Sequence, residues 1–225
     1  LDFILEDDDT ISTDKGVFLN VTRRLNKKIC NYISTSFYDS RLTSDPITET
    51  RSVNLKLDPI KDEGLFYVPI DHNGCSQRSD EEADLVEKVF NKIVNKEYKS
   101  ENITGKISAK DIMVVAPYNA QANNIRERLK KKFKDDVRVG TIDLFQGQEA
   151  KVVLISMTTS DVESLPRHKD FFFSRNRLNV AISRAECVAI IIFNENLLLA
   201  SASSIKEMKL INSFCKLLTF KTNYK

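Results

Sequence analysis

"VGTIDLFQGQEAKVVLISM", residues 139–157, sets two apolar, strand-like runs on either side of a short polar loop. Its hydrophobic pattern reads as one strand over about 137–142 and a second over about 151–157. The chain has only six glycines, and one of them, Gly147, stands inside Phe145-Gln146-Gly147-Gln148-Glu149. Glycine lets a backbone adopt positive φ and pass close to a ligand, and Glu149 offers acceptors for ribose hydroxyls. The alternative is a plain connection between strands, and the loop alone leaves both open.

Outward from this stretch, Ile112-Met113-Val114-Val115-Ala116, closed by Pro117, reads as a strand buried on both faces. Residues 65–70 and 188–193 read the same way. Between the strands, Ala122, Ile125, Leu129 and Phe133 repeat at helical spacing, as do Leu25, Ile29, Ile33 and Phe37, which place a helix over about 22–37. Ser79-x-x-Glu82 is a capping box opening a helix with Leu85, Val89, Ile93 and Val94. Further helices are expected over about 176–184 and 203–220. Gly16-Val17-Phe18-Leu19 is a short apolar segment, and residues 40–63, polar and holding Pro46 and Pro59, read as irregular connection. Strands alternating with helices imply an α/β fold with an open, mainly parallel sheet, whose ligands sit at the carboxyl ends of the strands.

The 225 residues suffice for one large domain or two small ones, and 41% hydrophobic with 29% charged residues is ordinary for a soluble protein. No apolar run approaches the roughly 20 residues that cross a bilayer, so the chain reads as intracellular and cytoplasmic, with no membrane partner. Cys30, Cys75, Cys187 and Cys215 are scattered and only His72 and His168 accompany them, which argues against a metal site and a disulfide framework. A net charge of +2 neither demands nor excludes a polyanion. Residues 1–15, beginning at Leu1 and acidic, are expected to be a linker or the end of a preceding domain. No G-x-x-x-x-G-K-[ST] occurs, since Gly105-Lys106 is followed by Ile107, and no apolar run ends in an Asp-Glu pair. A chain like this handles ATP only without a phosphate cradle of its own.

Arginines and one aromatic turn are the remaining candidates. Arg177, Val180 or Ala181, and Arg184 fall nearly on one helical face just before a buried strand. A guanidinium fork suits phosphate oxygens, but the same spacing serves a helix surface paired with carboxylates. Arg23-Arg24, near a helix start, is open to the same two readings. Pro117-Tyr118-Asn119-Ala120-Gln121, at a strand-to-helix turn, combines a proline, an aromatic face and two amides, suited to holding a nucleic-acid strand or simply to starting a helix. Lys130, Lys131, Lys132 and Lys134 complement a helix end, or add weakly to phosphate-backbone contact.

In order, "LNVTRRLNKKICNYISTSFYDSRL" (19–42), "DIMVVAPYNAQANNIRERL" (111–129), "VGTIDLFQGQEAKVVLISM" (139–157) and "RNRLNVAISRAE" (175–186) resemble motifs IIIa, IV, V and VI of superfamily 1 helicases. The subgroup they resemble includes the nonsense-mediated-decay helicase. The resemblance covers about 17–200 and implies a RecA-like, P-loop NTPase-type fold, with 16–225 as the second motor domain and 40–63 as an irregular insertion.

The resemblance also implies site residues. Arg24 and Arg184 are the arginine fingers reaching the γ-phosphate of ATP, a device able to contribute on the order of 10³–10⁵ in rate. Arg23, Gly147 and Glu149 meet the nucleotide, and Pro117, Tyr118 and Thr141 contact the backbone of single-stranded DNA or RNA. Gln121, Gln146 and Arg177 support them, and no residue is assigned to a metal. At Arg23 the family usually carries an aromatic residue, and Thr22 replaces a common amide. ATP with Mg2+ is then bound mainly by an N-terminal RecA-like domain of the same protein, and the chain alone is inactive. The alternative is a non-catalytic nucleic-acid- or protein-binding module, and a third reading makes the C-terminal helix a partner surface.

Overall fold

The structure, a computed structural model, describes residues 10–12, 14–160, 175–199 and 205–220. Its centre is a sheet of five strands, all parallel: β4 (Gly64–Pro69), β10 (Ala185–Phe193), β9 (Ala150–Ser156), β7 (Ile112–Val115) and β8 (Arg138–Gly140), side by side in that order. The strands read as continuous apolar runs because both faces are covered. On one face Met113, Val153, Ile155, Ala189, Ile191 and Phe193 pack against α1 (Lys27–Phe37), α4 (Arg175–Ile182) and α5 (Ile205–Leu217). On the other, Ile112, Val114, Val152, Leu154, Ile190 and Ile192 meet α2 (Asp80–Ile93) and α3 (Asn119–Phe133). Alternate residues of one strand thus feed two cores, each buried side chain of this kind contributing about 1.5–3 kcal/mol.

Several expected boundaries move, each for a local reason. The first helix starts at Lys27 rather than near 22, because the Asn26 side chain caps it by accepting from Lys28 N–H at 2.9 Å. Val21–Thr22 instead forms β1, paired in parallel with β2 (Thr43–Ser44). Residues 40–63 are not wholly irregular: besides β2 they hold a 3-10 turn over Pro46–Thr50 and β3 (Ser52–Val53). β3 joins a hairpin absent from the sequence reading, β5 (Glu97–Ser100) and β6 (Ile103–Lys106), in a small antiparallel sheet. There the Tyr98 ring lies so close to Gly105 that a Cβ on the glycine would sit 2.7 Å from it, so a side chain at 105 would require the ring to shift.

β8 ends at Gly140, and a 3-10 turn over Ile142–Phe145 takes the remainder of the expected strand. β10 starts at Ala185, earlier than expected, and α4 stops at Ile182. The expected C-terminal helix is seen as α5, and residues 1–9, 203–204 and 221–225 lie outside the described part. Among the described residues no helix is long and apolar enough to cross a membrane.

Candidate functional site

Because the five strands run in parallel, one edge of the sheet collects their amino ends and the other their carboxyl ends. The sequence places the ligands in crevices at the carboxyl ends of the strands. The structure divides the candidates between both edges. The loop 141–149 crosses from the carboxyl end of β8 to the amino end of β9, so its glycine and glutamate lie at the edge opposite to the expected one.

At the amino edge Arg24, Glu149 and Arg184 come together. Arg24 Nε donates to Glu149 Oε2 at 2.8 Å, and its Nη1 lies 3.5 Å from Ser183 O. Arg184 Nη1 donates to Gln148 O at 3.2 Å. Arg184 is only 9% exposed, and its Nε has no hydrogen-bond partner among the described residues. Burial first, and then the positive charge of Arg24, lowers the Arg184 pKa from its ordinary value. A guanidinium still stays charged at neutral pH. Arg24 and Arg184 thus share the corner with the carboxylate of Glu149, and the Arg184 Nε–H stays unmatched there.

Gly147, beside it, has φ +78°, and a Cβ there would meet nothing within 4 Å. Its need for glycine is conformational. Gln146, next to it, is exposed. Arg23 is largely exposed and pairs with Asp45 at 3.2 Å. With Phe18, Leu19, Val21, Arg24 and Glu149 it lines an open cleft of about 510 Å³.

One expectation fails here. Arg177 and Arg184 do not share a helical face, because α4 ends at Ile182 and Arg184 lies in the turn before β10. Arg177 faces Asp143 at 3.6 Å instead. Two residues the sequence reading passed over brace this corner. Arg138 donates to Glu149 O and to Gln148 Oε1, at 3.0 and 2.9 Å. Arg51 donates to Arg23 O and Arg24 O, at 3.0 and 2.9 Å. No sequence pattern marks either, since both act on backbone distant in the chain.

At the carboxyl edge, Pro117 and Tyr118 follow β7, and Thr141 follows β8. The Tyr118 hydroxyl is pushed up in pKa by burial, opposed by a hydrogen bond with Thr159. Thr141 is half-buried at the start of its 3-10 turn and makes no capping bond through its side chain. Beneath them Gln121 is fully buried, its Oε1 accepting from Ser79 N–H at 2.9 Å and its Nε2 donating to Ser79 O and Ser156 Oγ, both at 3.0 Å.

The expected capping box is therefore only half made. Ser79 Oγ accepts from Glu82 N–H at 3.1 Å, but Gln121 serves the Ser79 N–H. Glu82 is thereby free to turn inward, where it accepts from Ser156 Oγ–H at 2.6 Å and Thr158 N–H at 2.8 Å and faces His72 Nε2 at 3.0 Å. Ser160 Oγ lies 2.8 Å from His72 Nδ1, an order that mimics a Ser-His-Glu triad. Ser160 is fully buried and its oxygen already accepts from Cys75 N–H, so the array is a lock and not a nucleophile. Among the described residues no group of three or more His, Cys, Asp and Glu is placed to hold a metal ion.

The sequence profile of the AAA domain family matches residues 5–196. The chain belongs to the AAA domain family. This AAA domain has an α/β fold, a parallel five-stranded sheet between helices. It is 31% identical over 191 residues to the DNA polymerase alpha-associated DNA helicase A of Schizosaccharomyces pombe, covering 80% of the chain and 28% of that protein. It is 30% identical over 201 residues to an uncharacterized ATP-dependent helicase of Methanocaldococcus jannaschii, covering 80% of the chain and 27% of that protein. With helicase sen1 of Schizosaccharomyces pombe it shares 30% over 189 residues, or 78% of the chain and 10% of that protein. The AAA domain thus spans under a third of the length of these relatives.

Proposed function

We propose that this AAA domain is the second RecA-like half of an ATP-dependent superfamily 1 helicase or translocase. In this reading it supplies arginine fingers to ATP held mainly by an N-terminal RecA-like domain of the same protein, and it grips single-stranded DNA or RNA. The observation that carries the reading is the Arg24–Glu149–Arg184 corner. A buried guanidinium with an unmatched Nε–H, beside a second guanidinium, offers donors and positive charge of the kind that bind phosphate oxygens. The helicase names of the relatives point the same way.

When bound, ATP would bring the phosphoanhydride and its Mg2+ would neutralise part of the charge. The chain's own residues do the remainder: Arg184 and Arg24 stabilise negative charge developing on the transferred phosphoryl oxygens. Glu149 keeps the Arg24 side chain at the cleft, and Arg23 lines its mouth next to the base and ribose. At the other edge Pro117, Tyr118 and Thr141 contact the sugar-phosphate backbone, over a floor held by Gln121. Since one rigid sheet joins both edges, closure around the nucleotide at one moves the strand grip at the other.

The test is ATP hydrolysis by the full-length protein with and without single-stranded DNA or RNA. Stimulated hydrolysis that falls about 10³-fold in Arg184→Ala, with folding retained, is the expected result. Absent hydrolysis, or hydrolysis indifferent to the substitution, would favour a binding module that retains a motor fold.

A further inference from the structure

Arg51 is only 13% exposed in its side chain, and its Nε is buried with no hydrogen-bond partner among the described residues. Its Nη1 sits between the carbonyl oxygens of Arg23 and Arg24, at 3.0 and 2.9 Å. Its Nη2 reaches Glu101 Oε1 at 3.4 Å, at the tip of the β5–β6 hairpin. Asn26 Nδ2 in turn donates to Arg51 O at 3.4 Å, and Glu101 N–H donates to Thr50 Oγ1 at 2.9 Å. The turn 23–26 and the strand entry at Arg51 clasp each other in both directions.

Three arginines thus crowd one turn, each with a separate carboxylate: Arg23 with Asp45, Arg24 with Glu149 and Arg51 with Glu101. Setting a permanent cation under the backbone of two others is unfavourable electrostatically, and neutral amides could bind the same two carbonyls. What the planar fork adds is a fixed direction. With both carbonyls drawn in toward Arg51, the Arg24 side chain is held out toward Glu149.

We propose that Arg51, braced by Glu101 of the small hairpin, is the positioning residue that sets Arg24 for phosphoryl transfer. This rests on the function proposed above. Small misplacements of a catalytic group can cost up to about 10²-fold in rate. Arg51→Ala is accordingly expected to lower kcat by at least about tenfold while KM for ATP and nucleic-acid affinity change less than about twofold.

The decisive measurement is a double-mutant cycle on steady-state ATP hydrolysis by the full-length protein, with Arg24→Ala, Arg51→Ala and both together. If Arg51 acts through Arg24, its removal costs nothing further once Arg24 is alanine. Equal losses in both backgrounds, or a normal kcat in Arg51→Ala, overturn the proposal while leaving the finger reading intact. An unchanged kcat in Arg24→Ala overturns the finger reading, and this proposal with it. Should Arg51→Ala fail to fold, Glu101→Gln at the half-exposed tip takes its place in the cycle, with a fall of about twofold to fivefold expected and the same non-additivity required.

Discussion

Glu82 and His72 stand 3.0 Å apart, carboxylate to ring, with neither side chain exposed. Between them they tie three separate pieces of chain: the start of α2, the segment after β4, and the end of β9 through Ser156, Thr158 and Ser160. Asn194 adds a fourth, donating to His72 O at 2.7 Å. Gln121 connects this lock to the turn that carries Pro117 and Tyr118. A buried polar network of this kind is costly when partly satisfied and specific when complete.

Removing the acceptor should therefore be expensive. Glu82→Ala leaves a serine hydroxyl, a backbone N–H and a ring nitrogen facing a void, and a loss of about 3–5 kcal/mol in unfolding free energy is expected. Glu82→Gln keeps an acceptor and should cost about 1–3 kcal/mol. Urea denaturation of both variants measures this, and a Glu82→Ala loss within about 0.5 kcal/mol would show that the network does not hold the fold.

The Arg24–Glu149 pair contrasts with it. Glu149 is 54% exposed in its side chain, so Glu149→Gln should change stability by no more than about 1 kcal/mol. In the full-length protein the same variant is expected to lower ATP turnover, because Arg24 loses the partner that holds it at the cleft. A stability loss as large as that of Glu82→Ala would mean the corner is structural.

Gly147 offers a test of conformation without crowding. Its φ of +78° strains any side chain, while the space around it is open. Gly147→Ala should cost on the order of 1 kcal/mol by denaturation and unfold nothing else. A neutral or stabilising effect would show that the loop is not held in this conformation.

The thiols should separate by reagent access and by pH. Burial raises Cys30 to about 11 and Cys187 to about 12. Cys215 is exposed and Cys75 partly so. Thiol labelling of the native protein near neutral pH is expected at Cys215 and Cys75, with Cys30 and Cys187 modified only on denaturation. An unfolded thiol ionises near its ordinary 9.0 while the buried ones keep their protons, so these two residues reduce stability as pH rises above 9. Rapid native labelling of Cys187 would contradict the burial of β10.

The strands at the centre of the sheet were legible because their apolar runs admit no other burial. In β10, Val188 to Phe193 have no exposed surface at all, and the sequence shows six apolar residues together. Elements with a mixed surface were read less well. Leu25 continues the helical spacing of Ile29 and Ile33, so the pattern ran past the Asn26 cap, which only backbone geometry reveals. The β5–β6 hairpin is half exposed and mostly polar, and its signal was too weak to register.

The sequence by itself determined the alternation of strands and helices and, through motif order, which residues to expect at the candidate site. Only the tertiary structure decided how those residues are grouped. Arg24 meets Glu149 across 125 positions of chain, and the parallel sheet sends Glu149 and Arg184 to one edge and Tyr118 and Thr141 to the other. Periodicity is a property of neighbours in the chain, set by the geometry of one helix or strand. Pairings such as Arg51 with Arg24, or Gln121 with Ser79, depend instead on how separate elements pack, and no local pattern of residues encodes that distance.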